Sequence, residues 1–258
     1  MPDTQRLDRD DEIGLFQNML IGQVGTQILL VSAEGGVGKS ELMRAYAACC
    51  SAEQLLIKVD FKGKQVDLSE LISRICDALN WEQCPSILEV IKRLKPPAPE
   101  INVTDNELRG QNRIDINVVL NAPDEKDREQ NRVDLTNALF TDLRRLGQVV
   151  FLFDTFNDGH ELVKTWLWGA FLVRICHTPQ ARVVIAGRDL PEPAFEWEHC
   201  CHLLPLAGIA YEHYQKFARQ QGITASDDLL RGVHYAFDGK PLPILNKLQA
   251  LALRERTV

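Results

Sequence analysis

The chain has 258 residues, of which 45% are apolar and 25% are charged, and its formal net charge at pH 7 is -7. This composition is typical of a globular protein with enough residues for one α/β core and a small additional domain. The negative net charge excludes an overall basic field for nucleic acid, so we expect no strong nucleic-acid partner.

The apolar residues are too scattered to predict a membrane protein. No run of about eighteen apolar residues is present, and the segment Met1 to Asp11 is too charged for a signal peptide. The seven cysteines are odd in number and include two adjacent pairs, a pattern that is poor for disulfides and typical of reduced thiols. We therefore expect a cytoplasmic protein without a membrane partner.

Five short apolar runs alternate with helical patterns along the chain. Strands in this alternation form a parallel sheet that is covered by helices on both faces. Two of the helical patterns carry apolar residues at a spacing of about 3.6, which predicts core-facing stripes. The runs are Gln27 to Val31, Leu55 to Val59, Val149 to Phe153, Arg182 to Ala186 and Cys200 to Leu204; the stripes are Leu68, Leu71, Ile72, Ile75 and Leu79, and Leu135, Leu139, Leu143 and Leu146.

The segment Ala33 to Ser40 has the spacing of a phosphate-binding P-loop. It lies between the first apolar run and a helix-forming segment, which is the context that such a loop requires. Its glycines let successive backbone N–H groups point into one concavity at the positive N-terminus of the helix. Lys39 is predicted to reach the β- and γ-phosphates and Ser40 to bind Mg²⁺.

The residues from about 96 to 128 interrupt the alternation of strands and helices. They are rich in Asn, Asp, Glu, Arg and Pro, and their few apolar residues alternate along the segment. We expect an exposed insertion here, either a solvated loop or a loop that contacts a partner. The alternating apolar residues are Ile114, Ile116, Val118, Val119 and Leu120.

The run Val149 to Phe153 is followed directly by Asp154, which is the Walker B pattern. A P-loop needs a carboxylate at the end of a nearby strand to hold Mg²⁺ or its water shell. The run Leu55 to Val59 and a long segment separate the P-loop helix from Asp154. This spacing favours ATPases with a strand inserted between the two motif strands over the simplest kinase-like arrangement.

The cluster His199-Cys200-Cys201-His202 has the residue types of a metal site. Zinc ligands usually come in spaced pairs, whereas neighbours on a strand point to opposite faces. We interpret the cluster as a buried strand.

After Pro205 the pattern predicts helices alone. A first helix ends at Gly222, Ser226 caps a second, and Pro241 begins a third. These helices predict a small helical lid domain at the end of the chain. The third helix carries Ile244, Leu245, Leu248, Leu251 and Ala252.

The predicted fold is therefore an α/β P-loop NTPase. It is a three-layer sandwich around a five-stranded parallel sheet, followed by the small helical lid. We expect an N-terminal segment at residues 1–25, a nucleotide-binding domain at 26–205 and the lid at 206–258.

The order of these motifs resembles the STAND class of signal-transduction ATPases, which includes the NB-ARC and AP-ATPase groups, and the resemblance covers nearly the whole chain. Five segments of the chain carry the resemblance. Asp8 to Glu12 is similar to the family's Gly-Arg-x-x-Glu motif, with Asp8 in place of the glycine, and Glu34 to Ser40 is similar to its Gly-Gly-x-Gly-Lys loop. Phe153 to Phe156 is similar to the Walker B motif of the bacterial members, Val184 to Arg188 to their sensor strand, and Gly239 to Pro241 to the Gly-x-Pro motif of their lid.

The resemblance implies a role for each matching residue. Arg188 would sense the γ-phosphate, Pro241 would pack on the adenine, and Arg9 would lie near the base or the phosphates. It also implies ATP or ADP with Mg²⁺ as cofactors, a protein partner or an effector or sensor domain, and a nucleotide-dependent oligomer. The implied nucleotide-binding residues are Arg9, Glu34, Gly35, Gly36, Val37, Gly38, Lys39, Ser40, Glu41 and Pro241; the metal ligands are Ser40 and Asp154; and the catalytic residues are Lys39, Asp154, Asp158 and Arg188.

One departure concerns hydrolysis. Related sequences often place a second acidic residue directly after the Walker B aspartate or three residues later, where this chain has Thr155 and Asn157. An amide is no general base at neutral pH, so Asp158 is the candidate and we expect slow hydrolysis. Three functions stay open: an ATP/ADP switch whose lid moves with the nucleotide state, a non-hydrolysing nucleotide-binding scaffold, and a P-loop kinase for a small molecule.

Overall fold

The fold of the chain is given by a computed structural model, which describes residues 9–63, 66–94, 105–220, 223, 225–241 and 243–248. The expectations for residues 1–8, for residues 96–104, for Gly222 and for Leu251 and Ala252 lie outside the described residues. The α-helices are α1 (Asp10–Leu20), α2 (Lys39–Cys49), α3 (Leu68–Leu79), α4 (Pro85–Leu94), α5 (Asp105–Leu120), α6 (Glu125–Leu143), α7 (Glu161–Trp166), α8 (Leu172–Ile175), α9 (Tyr211–Gln220) and α10 (Asp227–Ala236), with a π-helical segment Leu167–Phe171 between α7 and α8.

The five strands form one sheet in the order β2-β3-β4-β1-β5, and all its pairs are parallel. Each strand lies within one residue of its predicted bounds, so the predicted five-stranded parallel sheet is confirmed. The strands are β1 (Ile28–Ser32), β2 (Leu55–Asp60), β3 (Val149–Asp154), β4 (Ala181–Gly187) and β5 (Cys201–Pro205).

Strand β4 separates the strand of the glycine loop from the strand of Asp154. In the register of the sheet, Val31 of β1 pairs with Ala186 of β4, and Phe153 of β3 pairs with Ile185 of β4. The strand inserted between the two motifs was expected from the sequence and is confirmed. Because the strands are parallel, their carboxyl ends meet at one edge of the sheet.

Helices cover both faces of the sheet, as predicted for a three-layer sandwich. Along β1 the side chains alternate: Leu29 packs into the core under α1 and α2, and Leu30 packs into the core under α3 to α8. In the smaller of these cores, Phe16 of α1 stacks on Tyr46 of α2 with the ring centroids 4.3 Å apart. Burying an aromatic pair of this kind contributes about 1 kcal/mol beyond the area removed from water.

The segment expected as an exposed loop forms helix α5 and the start of α6 where it is described, with a short turn at residues 121–124 between them. Helix α5 ends at Leu120, and Asp124 caps α6 by accepting hydrogen bonds from the backbone of the first turn. Ile116, Val119 and Leu120 are buried at spacings of three and four residues, which is one face of a helix. The expectation of a loop was wrong because it relied on the polar composition of the segment and not on this spacing.

The prediction that the strand after His199 is buried was wrong. Leu203 of β5 is 51% exposed, and the adjacent His202 is exposed as well. The reason is topological, since β5 lies at the edge of the sheet and pairs only with β1 among the described strands.

The structure joins Cys176 and Cys200 in a disulfide, which differs from the reduced thiols expected from the sequence. His199 lies beside the pair, and the ligand atoms of the three residues lie within 4.8 Å of one another. The carbonyl of Cys200 accepts a hydrogen bond from the N–H of Gln27, which directly precedes β1, at 2.8 Å. The disulfide therefore lies at the amino end of the sheet, opposite the glycine loop.

The lid consists of α9, α10 and the helical residues 241 and 243–248, which share a core of their own. Ser226 caps α10 as predicted. The segment before α9 approaches the turn after α10 so closely that a Cβ on Gly208 would lie 2.2 Å from the carbonyl oxygen of Asp238. In the described part of the chain, no helix is long and apolar enough to cross a membrane.

Candidate functional site

A cavity of about 600 Å³ opens at the carboxyl edge of the sheet, between the sheet and the lid. It brings together every predicted site residue except Glu34, which lies just outside it. The cavity is lined by Arg9, Asp10, Ile13, Gly35, Gly36, Val37, Gly38, Lys39, Ser40, Glu41, Leu42, Arg44, Ala45, Lys62, Asp154, Thr155, Asn157, Asp158, Gly187, Arg188, Ile209, Phe217, Pro241 and Leu245.

The glycine loop between β1 and α2 needs glycine at two of its positions. Gly36 has a φ of 83° and Gly38 a φ of 103°, a region that other residues enter only with strain. Gly38 also lies next to the lid, because a Cβ on it would come 3.8 Å from Cγ of Pro241. The loop therefore opens onto the cavity at the N-terminus of α2, with the lid directly above it.

Lys39 is the cation of the loop. Its ammonium group donates hydrogen bonds to the carbonyl of Ala33 and, at 2.7 Å, to that of Glu34. Burial lowers the pKa of Lys39, and the positive charge of Arg188 lowers it further, while Asp154 acts in the opposite direction. Lys39 is thus held against its own loop, beside a second cation, in a place that favours an anion.

Oxygen ligands lie at the ends of two elements beside the loop. Ser40 is exposed in the first turn of α2, and Asp154 ends β3. Oδ1 of Asp154 accepts a hydrogen bond from the backbone N–H of Thr155 at 2.7 Å, and Thr155 has the left-handed φ of 57°. This tight turn keeps the carboxylate at the end of the strand. A hydroxyl and a carboxylate are the oxygen donors that Mg²⁺ prefers.

Arg188 follows β4 and extends over the loop. Its Nη2 atom lies 3.9 Å from the position that a Cβ on Gly35 would occupy. The guanidinium therefore lies beside the same loop that holds Lys39.

Arg9 joins three parts of the chain. Its Nη2 atom donates to the carbonyl of Val37 in the loop at 3.1 Å and to that of Ala207, between β5 and the lid, at 2.7 Å. Its Nη1 atom donates to Glu12 at 2.9 Å, and the Arg9 side chain is only 13% exposed. Arg9 thus ties α1 to the loop and to the start of the lid.

The remaining acidic candidates lie at the rim. Asp158 lines the cavity, and its Oδ2 atom accepts a hydrogen bond from the backbone N–H of Gly63, after β2, at 3.4 Å. Glu41 lines the cavity and pairs with Arg44 at 2.6 Å on the exposed face of α2. Glu34 instead pairs with Lys240 of the lid at 2.5 Å.

The sequence reasoning missed four apolar residues that line the cavity, namely Ile13, Ile209, Phe217 and Leu245. A signal was present for two of them: Ile13 lies one helical turn after Arg9, and Leu245 one turn after Pro241. It also missed Lys62, although Lys62 follows the carboxyl end of β2 and parallel strands bring such residues to one edge. The cavity is therefore lined by both cationic and apolar side chains, which suits a ligand with an anionic and an aromatic part.

No family model matches the chain, and no curated protein matches it. Among solved structures it is similar to a Walker-type ATPase of Pyrococcus abyssi, with 15% identity over 98% of this chain and 70% of that one and a TM-score of 0.53. It is also similar to a STAND protein with a tetratricopeptide repeat sensor from Pyrococcus horikoshii, with 14% identity over 92% of this chain and 28% of that one and a TM-score of 0.49. The first similarity shows that the fold is that of a P-loop ATPase.

Proposed function

We propose that the chain binds ATP and ADP, with Mg²⁺, in this cavity, and that the lid responds to which nucleotide is bound. The observation that carries the proposal is the convergence of four separate parts of the chain on one cavity: the glycine loop, the end of β3, the end of β4 and the lid. A loop that merely joined β1 to α2 would require none of the other three around it. The similarity of the fold to a Walker-type ATPase supports the same assignment.

The cationic side chains of the cavity fit the phosphates. Lys39 now donates to two backbone carbonyls, and a phosphate group offers stronger, anionic acceptors to the same ammonium. The N–H groups of the loop and the N-terminus of α2 add further donors. We assign Lys39 to the β- and γ-phosphates and Arg188, with its forked guanidinium, to the γ-phosphate.

Ser40 and Asp154 fit a magnesium ion, because both present oxygen atoms at the edge of the cavity next to the glycine loop. We assign both residues to the ion or to its water shell. Held there, Mg²⁺ would neutralise part of the charge of the phosphates.

The apolar side chains of the cavity fit the base. They include Ile13 of α1, and Phe217, Pro241 and Leu245 of the lid. An aromatic base that enters there buries its faces against residues from both α1 and the lid. Nucleotide binding therefore adds contacts across the gap between the sheet and the lid.

These contacts support a switch of the STAND type. The lid meets the loop through Pro241 and Lys240, and Arg9 ties the loop to the start of the lid. A γ-phosphate adds a contact to Arg188 that ADP lacks, and only such a difference can shift the lid between two positions. A protein partner that binds one lid position would read the nucleotide state.

Slow hydrolysis and a non-hydrolysing scaffold remain the two forms of the proposal. Asp158 is the carboxylate closest in sequence to Asp154, and its bond to Gly63 draws it toward the loop after β2. Asn157, in the place of the usual second acid, accepts a hydrogen bond from the backbone of Arg188 and is no base. The amide of Asn157 in place of an acid is the observation that favours the non-hydrolysing scaffold.

Two measurements test the proposal. Mass spectrometry of the purified protein should find ATP or ADP retained, and a protein that neither retains nor binds either nucleotide would contradict the proposal. A single-turnover assay should then find phosphate release above background in the wild type and less in Asp158→Ala. Bound ATP that stays intact supports the scaffold, whereas transfer of the γ-phosphate to a small acceptor would instead indicate a kinase.

A further inference from the structure

Asn157 forms a link between the ends of β3 and β4. It lies in the short helical turn Phe156–Asp158 after β3 and lines the cavity. Its Oδ1 atom accepts a hydrogen bond from the backbone N–H of Arg188 at 2.5 Å. Because a backbone N–H can only donate, the carbonyl oxygen of the amide must face it. The side chain therefore holds the backbone of the arginine directly.

This bond continues the sheet beyond its last backbone pair. The ladder between β3 and β4 ends with Phe153 opposite Ile185, and Arg188 comes three residues later. The approach is close, since a Cβ on Gly187 would lie 3.0 Å from Oδ1 of Asn157 and 2.6 Å from a methyl group of Leu190. Glycine at position 187 lets the side chain reach the backbone.

The other side of the same residue is held by β1. The hydroxyl of Ser32 donates to the carbonyl oxygen of Arg188 at 3.0 Å. The N–H of Ala33, the first residue of the glycine loop, donates to the carbonyl of Gly187 at 3.1 Å. Arg188 is thus fixed from β1 on one side and from the turn after β3 on the other.

The fixed backbone limits where the guanidinium can lie. Nη2 of Arg188 is 3.9 Å from the position of a Cβ on Gly35, above the glycine loop and near Lys39. An arginine with a loose backbone would lose entropy on binding a phosphate, and a pre-positioned one loses less. Asn157 thus favours phosphate binding indirectly, by holding the backbone of Arg188.

We propose that Asn157 is a positioning residue that holds Arg188 for the γ-phosphate and so sets the preference for ATP over ADP. The proposal rests on the proposed function, because it requires that ATP binds in the cavity. The proposal explains why an amide can occupy a position where related sequences often have an acidic residue. The side chain supplies a hydrogen-bond acceptor to Arg188 and does not act as a base toward water.

A double-mutant cycle with Asn157→Ala and Arg188→Ala tests it. The dissociation constants of ATP and ADP, each with Mg²⁺, are measured by calorimetry for the wild type, both single variants and the double variant. Asn157→Ala should weaken ATP binding by about two- to tenfold, the range expected for one lost hydrogen bond between uncharged groups, and leave ADP binding nearly unchanged. In the Arg188→Ala background the same substitution should have no further effect on ATP.

Ser32→Ala provides a second test through an independent contact. It removes the donor to the Arg188 carbonyl and should lower the ATP preference in the same direction, which keeps the inference testable if Asn157→Ala folds poorly. The melting temperature of each variant without nucleotide separates general destabilisation from a loss of ATP preference.

The outcomes are distinct. Equal ATP affinity in the wild type and Asn157→Ala, or effects of the two substitutions that simply add, would overturn the inference and leave the proposed function standing. A wild type that binds neither nucleotide overturns the proposed function and the inference with it.

Discussion

Nζ of Lys240 in the lid lies 2.5 Å from Oε2 of Glu34 in the glycine loop. The side chain of Glu34 is 76% exposed and that of Lys240 is 28% exposed. The hydrogen bond between them, and then their charges, lower the pKa of Glu34 and raise the pKa of Lys240. The pair ties the lid to the loop from outside the cavity, so it can affect how the lid moves without contacting the nucleotide.

Replacing Lys240 by glutamine should release nucleotide faster. The contact is exposed, so we expect the dissociation rate of a fluorescent ATP analogue to rise by about two- to fivefold, with the melting temperature of the free protein nearly unchanged. Lys247→Gln, at an exposed lysine of the lid helix that follows Lys240, is the matched control. An unchanged rate in Lys240→Gln would mean that the pair does not hold the lid.

The pH dependence of that release follows from the two pKa shifts. The pKa of Glu34 lies below its ordinary 4.5, so the ion pair is intact above that value and is lost as the pH falls through the lowered pKa. The pKa of Lys240 lies above its ordinary 10.5, so the pair is intact below that value and is lost as the pH rises further. Between these two pH limits we expect only salt to weaken the ion pair, because about 1 M salt screens an exposed pair of charges.

Arg9→Ala should destabilise the protein as well as weaken nucleotide binding. It removes three hydrogen bonds of a largely buried guanidinium, to Glu12, Val37 and Ala207, and the expected loss in the free energy of unfolding is about 1.5–3 kcal/mol. Arg9→Lys should recover only part of this loss, because an ammonium lacks the planar fork of the guanidinium. Urea unfolding measures the free energy of unfolding of both variants. Full recovery of stability in Arg9→Lys would contradict the role of the guanidinium as a bridge between α1, the glycine loop and the start of the lid.

Asp142 is buried in α6 and caps a different helix. Its carboxylate accepts hydrogen bonds from the backbone N–H groups of Ser86 and Ile87 at the start of α4, each at 3.1 Å. Asp142→Ala should lower the free energy of unfolding by roughly 2–4 kcal/mol, because it leaves two buried donors without an acceptor. The control is Asp124→Ala at the exposed cap of α6, with an expected loss of about 1 kcal/mol. Equal losses in the two variants would contradict the capping of α4 by Asp142.

The disulfide between Cys176 and Cys200 predicts a response to reductant. Its two cysteines are 24 residues apart, and closing a loop of that length stabilises a fold by roughly 3 kcal/mol in the chain-entropy description. Dithiothreitol should therefore lower the melting temperature of the wild type and leave that of Cys176→Ser unchanged. Cys49→Ser, at a free cysteine, should respond as the wild type does. A wild type insensitive to dithiothreitol would mean that the bond does not form.

The parts of the fold that local pattern decides could be predicted from the sequence. The run Val149 to Phe153 is apolar throughout and ends in Asp154, so its identity as a buried strand depends on no distant residue. Helix α5 was missed because three buried residues, Ile116, Val119 and Leu120, carry its core face within a largely polar segment. The spacing of these three residues indicates a helix, whereas the overall composition of the segment does not.

The parts that depend on which elements become neighbours could not be predicted. The exposure of Leu203 follows from the position of β5 at the edge of the sheet, and nothing in its own apolar run indicates that position. The bond between Asn157 and Arg188 spans 31 positions in the sequence and exists because β3 and β4 are adjacent. From the sequence, Asn157 was interpreted as the lack of an acidic residue, whereas in the structure it is a hydrogen-bond partner of Arg188.

The central claim is that the glycine loop holds the phosphates of ATP through Lys39. Thermal unfolding in the presence of Mg-ATP tests it most directly, with Lys39→Ala compared against Lys126→Ala, an exposed lysine of α6, as the matched control. At a hundredfold excess of ATP over its dissociation constant, the wild type and Lys126→Ala should gain about 2.7 kcal/mol, and Lys39→Ala should gain almost nothing. An equal gain in Lys39→Ala would contradict the assignment of the loop.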